Sequence, residues 1–297
     1  MCYTGHIISI RREFMATKKA GSAAKKTTRS KSQTKKSTVT TVKAVKAEKV
    51  QKAPSLAQMV PDLKLDDKKT AAAAAFIGEF VGVFLLTCVF LISRGYELYV
   101  TFTLVGLFLM VGTLSGAHLN PLVTVGAWVT RKLSNVRAAA YVVAQLLGAG
   151  AAYVVLSTFI DGHVDAGGAS VLGQSAPELF KLVALNKDTQ WYVFFAELLG
   201  ATIFAFAFAG AWREKTDRVA KAFTVGFGLL VALIVASYSL KFVSQDFVAV
   251  LNPAVALAAS AVVDWAKIDW FSVAAYLVAP LIGGVVGFAL RDAVEVK

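Results

Sequence analysis

Cysteine is almost missing: Cys2 and Cys88 are the only two in 297 residues, one at the extreme terminus and one inside an apolar run. That excludes a disulfide framework or a cysteine-rich metal site. Histidine occurs three times, and no nucleophile with a matched base and orienting acid is apparent, so nothing supports an enzyme or implies a cofactor. Charged residues make up only 17% of the chain. The first 14 residues have a short apolar patch (Ile7, Ile8, Ile10) without a small-residue cleavage site, which argues against a secretory signal. Met15, directly before ATKKAG, is an alternative start.

The charge that is present is unevenly placed. Residues 15–52 carry twelve Lys and Arg against Glu48 alone, whereas residues 53–297 hold 17 basic and 17 acidic side chains. The formal charge of +12 therefore belongs to a tail, not to the body of the protein. The tail, residues 1–69, is Lys, Ala, Thr and Ser with few large apolar groups after residue 15, too little to offset its ordering entropy, and is expected to be disordered. Lysines attract anionic lipid at ~1 kcal/mol each near a surface. Contact with anionic lipid is therefore expected ahead of nucleic acid, because the tail lacks aromatic residues for base stacking and is tethered to a membrane.

Residues 70–297 are dominated by long apolar runs, and 57% of the whole chain is hydrophobic. Six runs (71–93, 99–116, 137–158, 191–211, 220–239 and 271–290) are each about long enough to cross ~30 Å of hydrocarbon at ~1.5 Å per residue. Two further apolar stretches, 119–130 and 251–263, are too short to span, and each opens with Leu-Asn-Pro. The expected fold is an all-α membrane protein of six transmembrane helices and two re-entrant half-helices.

Loop charges orient the chain. With the basic tail inside, the connection bearing Arg131, Lys132 and Arg137 lies inside, as does the one from Arg213 to Lys221, and both are net positive; the connections outside carry no such excess. Both termini are then cytoplasmic, and the cell membrane is the expected location. Tyr96, Tyr99, Trp191, Tyr192, Trp212 and Trp270 fall near span ends, where amphipathic rings favour the interface.

The chain also repeats. GEFVG (78–82) and AELLG (196–200) place Glu79 and Glu197 three residues before Gly82 and Gly200, and each is followed two spans later by Leu-Asn-Pro. Two halves of three spans, about 71–158 and 191–290, must sit in opposite orientations, with the functional site where they meet near mid-membrane. Proline suits the first position of a helix and asparagine the cap before it, so Asn120-Pro121 and Asn252-Pro253 each start a short helix. Irregular backbone survives at membrane depth only if buried in protein or lining a water-filled path. The segments leading into these helices are thus expected to line one, with the amides of Asn120 and Asn252 facing it and the helix N-termini disfavouring cations. Gly78, Gly82, Gly148, Gly150, Gly200, Gly283 and Gly284 are expected to permit close helix approach.

These motifs resemble the aquaporin, or major intrinsic protein, family over about residues 71–292. SGAHLNPLVT (115–124) is similar to the first Asn-Pro-Ala box, with Leu122 replacing Ala; LNPAV (251–255) carries the second at Asn252, Pro253 and Ala254; YVVAQLLGAG and APLIGG resemble the third and sixth spans. The resemblance implies a homotetramer in the bilayer with a pore in every protomer, passing water or small uncharged solutes such as glycerol. It further implies that Glu79 and Glu197 hold carbonyls of the re-entrant loops, and that His118 braces its own loop. The family usually has Arg directly after the second box, pointing into its narrowest ring. Val255 stands there instead. Alignment puts Val100, Leu233 and Ala249 at the other three positions of that ring, which is then wholly apolar. Lys241 offers the nearest alternative positive charge at the mouth. Secondary transporters, which also use inverted repeats, and a non-conducting structural role remain rival readings.

Overall fold

The computed structural model describes residues 67–165, 178–259 and 269–294. Residues 1–66, which hold nearly all of the expected tail, lie outside that set. Among the described residues, six helices are long and apolar enough to span a bilayer. They are α1 (Asp67–Ser93), α2 (Glu97–Ser115), α4 (Asn135–Asp165), α5 (Gln190–Arg213), α6 (Arg218–Lys241) and the composite Trp270–Ala293. Two short helices, α3 (Pro121–Val129) and α7 (Pro253–Ala258), complete the set; the remainder of the second re-entrant stretch beyond 259 lies outside the described residues. Every described element is helical.

Most helices extend a few residues past the apolar runs. α1 begins at Asp67, four residues before the apolar run at 71, so Lys68 and Lys69 belong to the helix and not to the tail. Asp67 favours a helix N-terminus electrostatically, and the five alanines that follow Thr70 propagate the helix readily. The sixth span is not a single α-helix: α8 (Trp270–Val273) passes through a π segment at Ala274–Val278 into α9 (Ala279–Ala293). Pro280 explains it. Proline has no N–H for the carbonyl of Tyr276 and its ring clashes there, so the Ala279 N–H reaches back to the Ala274 carbonyl and the turn widens.

Packing repeats between halves. α1 packs on α2 and α4; correspondingly, α5 packs on α6 and the sixth span, and α2 meets α6 between the halves. Each half-helix crosses over: α3 packs mainly against α9 and α7 against α4, the last span of the opposite half. Glycines allow these approaches. A Cβ on Gly148 would lie 2.4 Å from the Phe80 carbonyl oxygen, and one on Gly283 would lie 2.6 Å from that of Leu198, its repeat counterpart. Gly82 and Gly200 likewise receive Leu119 and Leu251, the residues before the two Asn-Pro pairs. Gly150 differs from expectation: it faces open space and brings no helix closer.

Candidate functional site

Asn120 is extended, at φ −162°, and its side-chain oxygen accepts from the Leu122 N–H at 3.0 Å, with Pro121 in the first turn. Asn252, at φ −151°, accepts from the Ala254 N–H at 3.1 Å and the Val255 N–H at 3.4 Å, with Pro253 in the first turn. Both short helices therefore start where Asn-Pro dictates. Directly upstream, Leu119 and Leu251 adopt left-handed backbone, at φ 50° and 51°, at a cost of ~1–2 kcal/mol each for non-glycine residues.

Two glutamates hold these strained loops. Glu79 accepts from the His118 N–H at 2.9 Å and the Leu119 N–H at 2.8 Å, one on each carboxyl oxygen. Glu197 accepts from the Val250 N–H at 2.6 Å and the Leu251 N–H at 2.9 Å. The expectation that they hold loop carbonyls is corrected: a carboxylate has no proton to donate, so it can only take N–H groups. At ~0.5–1.5 kcal/mol net per hydrogen bond, two such contacts per loop roughly offset the left-handed strain.

The asparagine amides close the junction between halves. Asn120 Nδ2 donates to the Leu251 carbonyl at 2.7 Å, and Asn252 Nδ2 donates to the Leu119 carbonyl at 3.0 Å. Each repeat thus supplies the donor for the other repeat's strained loop. An amide NH₂ carries two protons, so one on each Asn is committed to the clasp and the other remains for the cavity that both residues line.

That cavity is narrow and mostly apolar. Val100 and Leu104 of α2, Leu229 of α6 and Phe204 of α5 form its walls beside Leu86 and Phe90 of α1, with Val255 from α7. The space open to the centre of a water molecule is about 10 Å³, roughly what one water requires. Val100 and Val255 face this space together. Leu233 and Ala249 are buried but do not line it; Leu229, one turn before Leu233, takes the α6 position. Matching GFGLLVAL (226–233) to the family's fifth span puts Leu233 in the ring, but an apolar run of that kind does not fix which helical turn faces the cavity.

His118 also lines the cavity. Its Nδ1 lies 3.1 Å from the Thr124 hydroxyl, its Nε2 has no hydrogen-bond partner among the described residues, and its ring meets the edges or faces of Tyr141, Phe208 and Trp212. It sits outside the six spans, and burial first, then the charge of Arg137, pushes its pKa down to about 3. Of the loop leading in, Ser115 turns its carbonyl to the Tyr141 hydroxyl at 2.6 Å and lies off the cavity lining. Lys241 is engaged at the other end of α6, with Glu97 Oε1 4.0 Å away and the Tyr238 ring beneath its ammonium at 4.5 Å.

Residues 68–291 match the family model for the major intrinsic protein. The chain belongs to the major intrinsic protein family. Its fold resembles the X-ray structure of the aquaglyceroporin from Plasmodium falciparum, at a TM-score of 0.56 and 24% identity, covering 75% of this chain and 96% of that one. Aquaporin AqpM of Methanothermobacter marburgensis is 30% identical over 126 residues, 42% of this chain and 45% of that protein. The glycerol uptake facilitator protein-like 6 of Lactiplantibacillus plantarum is 35% identical over 109 residues, 34% of this chain and 48% of that protein. These two matches each span just under half the length of the relative. An aquaporin-like, six-span, multi-pass membrane protein is the architecture that family and fold share.

Three side chains at or beside the junction were given no role by the sequence. Gln145 was visible only as a family match, yet it donates to Glu79 Oε2 at 2.7 Å and contacts the Thr124 hydroxyl at 2.9 Å. Phe204 and Phe208, one turn apart on an apolar helix, carried no signal beyond ordinary core spacing.

Proposed function

We propose that the protein is a passive channel for water or small uncharged solutes of the glycerol type, working as a homotetramer in the cell membrane with both termini cytoplasmic. One observation carries the reading: two inverted half-helices end on a common cavity, each presenting an asparagine amide with one proton uncommitted. A neutral solute loses water of hydration in a tight lumen and regains hydrogen bonds from those two donors. A cation loses more and regains less, because both donors are the positive ends of N–H dipoles and both helix N-termini turn partial positive charge toward the cavity. The names of the two relatives above, one an aquaporin and one a glycerol facilitator, support this solute class without choosing within it.

Secondary transport is less well supported. Coupling needs an ion site, and the two buried carboxyls at the junction, Glu79 and Glu197, are both taken up by loop N–H groups. No second reading is favoured by a specific contact.

The constriction is proposed to run through Val100 and Val255, an apolar ring where the family usually has an Arg. Arg supplies fixed charge and a fork of donors that replaces hydration water; without it, solute orientation is weaker and selection rests on size and on the cost of wetting. The test is reconstitution into vesicles with osmotic-shock light scattering for water, glycerol and urea. Permeabilities above those of empty vesicles are expected, and permeabilities equal to them would reject a channel that stands open in the wild-type protein. Val255→Arg should narrow the solute range and reduce any cation leak; an unchanged profile would remove Val255 from the constriction.

A further inference from the structure

We infer that Phe208 closes the lumen on the His118 side against Phe108 and is the residue that sets the size of solute admitted there. The inference rests on the channel reading above and adds a second selecting level, away from Val100 and Val255.

Three placements carry it. α6 stands between α2 and α5, since it packs on both, so a contact from α2 to α5 crosses the bundle interior. At the level of Leu104 and Phe204 these walls stand apart, because both side chains line the cavity. One turn further along each helix they meet: the Phe108 and Phe208 ring centroids are 6.4 Å apart, edge to face. That spacing is ordinary aromatic contact, which leaves no passage between the rings.

Phe208 also gathers rings from several elements. His118 of the first loop is 5.8 Å away, Phe204 and Trp212 of its own helix are each 6.2 Å away, and Phe288 of α9 is 6.3 Å away. A phenylalanine packed simply between adjacent helices touches those helices; this one touches α2, a re-entrant loop and the last span at once. It is 1% exposed, and it stands one turn beyond Phe204, the α5 residue that lines the cavity together with His118. A solute leaving the asparagine pair on this side must displace the Phe208 ring. The ring is stiff and apolar and offers no hydrogen bond to replace water, so it selects by cross-section, and a three-carbon polyol is disfavoured more than water.

Phe208→Ala and Phe108→Ala, which thin the contact from opposite walls, should each raise glycerol permeability severalfold and raise the ratio of glycerol to water permeability in reconstituted vesicles. Phe208→Leu should do the same to a smaller degree and serves if the alanine variant does not fold, as judged by size-exclusion profile and thermal melting. Phe223→Ala, on an exposed face where Phe223 stacks on Phe227, should leave both permeabilities unchanged. If wild type conducts and the folded Phe208 and Phe108 variants keep its glycerol-to-water ratio, Phe208 is core packing and the inference is overturned while the channel stands. If neither wild type nor these variants exceeds empty vesicles, the channel reading falls and this inference with it. A silent wild type with a conducting Phe208→Ala supports the inference, as the ring would then be what shuts the lumen.

Discussion

The two halves of this protein solve one problem with different chemistry. In the first, Glu79 is part of a polar network: Gln145 donates to it, Thr124 links Gln145 with the His118 ring, and Tyr141 ties down Ser115. Aligning the halves on Glu79 and Glu197, on the Asn-Pro pairs, and on YVVAQLLG with YLVAPLIG sets Val250 opposite His118, Ala256 opposite Thr124 and Pro280 opposite Gln145. The second loop thus hangs on Glu197 and the clasp to Asn120, in otherwise apolar surroundings. What both halves retain is the minimum: a carboxyl for two N–H groups, an asparagine cap, a proline and the glycines at the crossings. The rest has been free to diverge.

The largest effect should come from removing the unshared brace. Glu197→Ala leaves the Val250 and Leu251 N–H groups buried without a partner at ~1–3 kcal/mol each, a loss of about 2–6 kcal/mol that should strongly lower the melting temperature in detergent. Glu79→Ala should cost less, because Gln145, which already reaches Glu79, and the Thr124 hydroxyl keep polar side chains beside the vacated place. Equal losses, or a larger one at Glu79, would break the comparison.

Gly148→Ala and Gly283→Ala press a methyl group against a backbone oxygen in equivalent places and should each destabilise by ~1–3 kcal/mol, as overpacking does; matching melting shifts are expected, and a tolerant site in either half would mean that its crossing is looser than the other. Asn120→Ala and Asn252→Ala each remove a cap worth ~1 kcal/mol and half of the clasp, so their melting shifts should be smaller and alike.

The smallest expected effect is that of pH. With the His118 pKa lowered to about 3 from an ordinary ~6.5, the folded protein holds it neutral above about pH 4. Its contribution to stability is complete above the unfolded value and falls as pH drops from about 6.5 toward 3, where the unfolded chain takes the proton first. Permeability should therefore be flat between pH 5 and 8. A step near pH 6 that vanishes in His118→Phe would show an imidazole far more accessible than this one.

Much of this architecture was legible in the sequence because it depends on local rules. Six long apolar runs mark spans, and Asn-Pro after Leu marks a capped helix start whatever surrounds it. The glutamates were legible as well, since a lone carboxyl in an apolar run requires partners. Their partners were misassigned as carbonyls, which donor and acceptor chemistry alone could have prevented. What was not legible depends on tertiary distance. Nothing local says that Asn120 reaches Leu251, or which turn of the apolar run GFGLLVAL meets the cavity, so that Leu229 and not Leu233 lines it. The π segment lay between these cases: Pro280 signals a break, but the sequence does not say whether the turn widens or kinks.

The crossed docking of the half-helices also bears on how the protein is made. α3 is synthesised early, yet it rests on α9, near the end of the chain, and the Leu119 carbonyl waits for an amide that lies 133 positions further along. The first re-entrant segment lacks its latch until Asn252 has been made and its floor until the last span has entered the bilayer. Early in biosynthesis it must shelter beside α4 or in the insertion machinery, and a chain truncated before the sixth span would carry an unfinished loop that quality control could recognise.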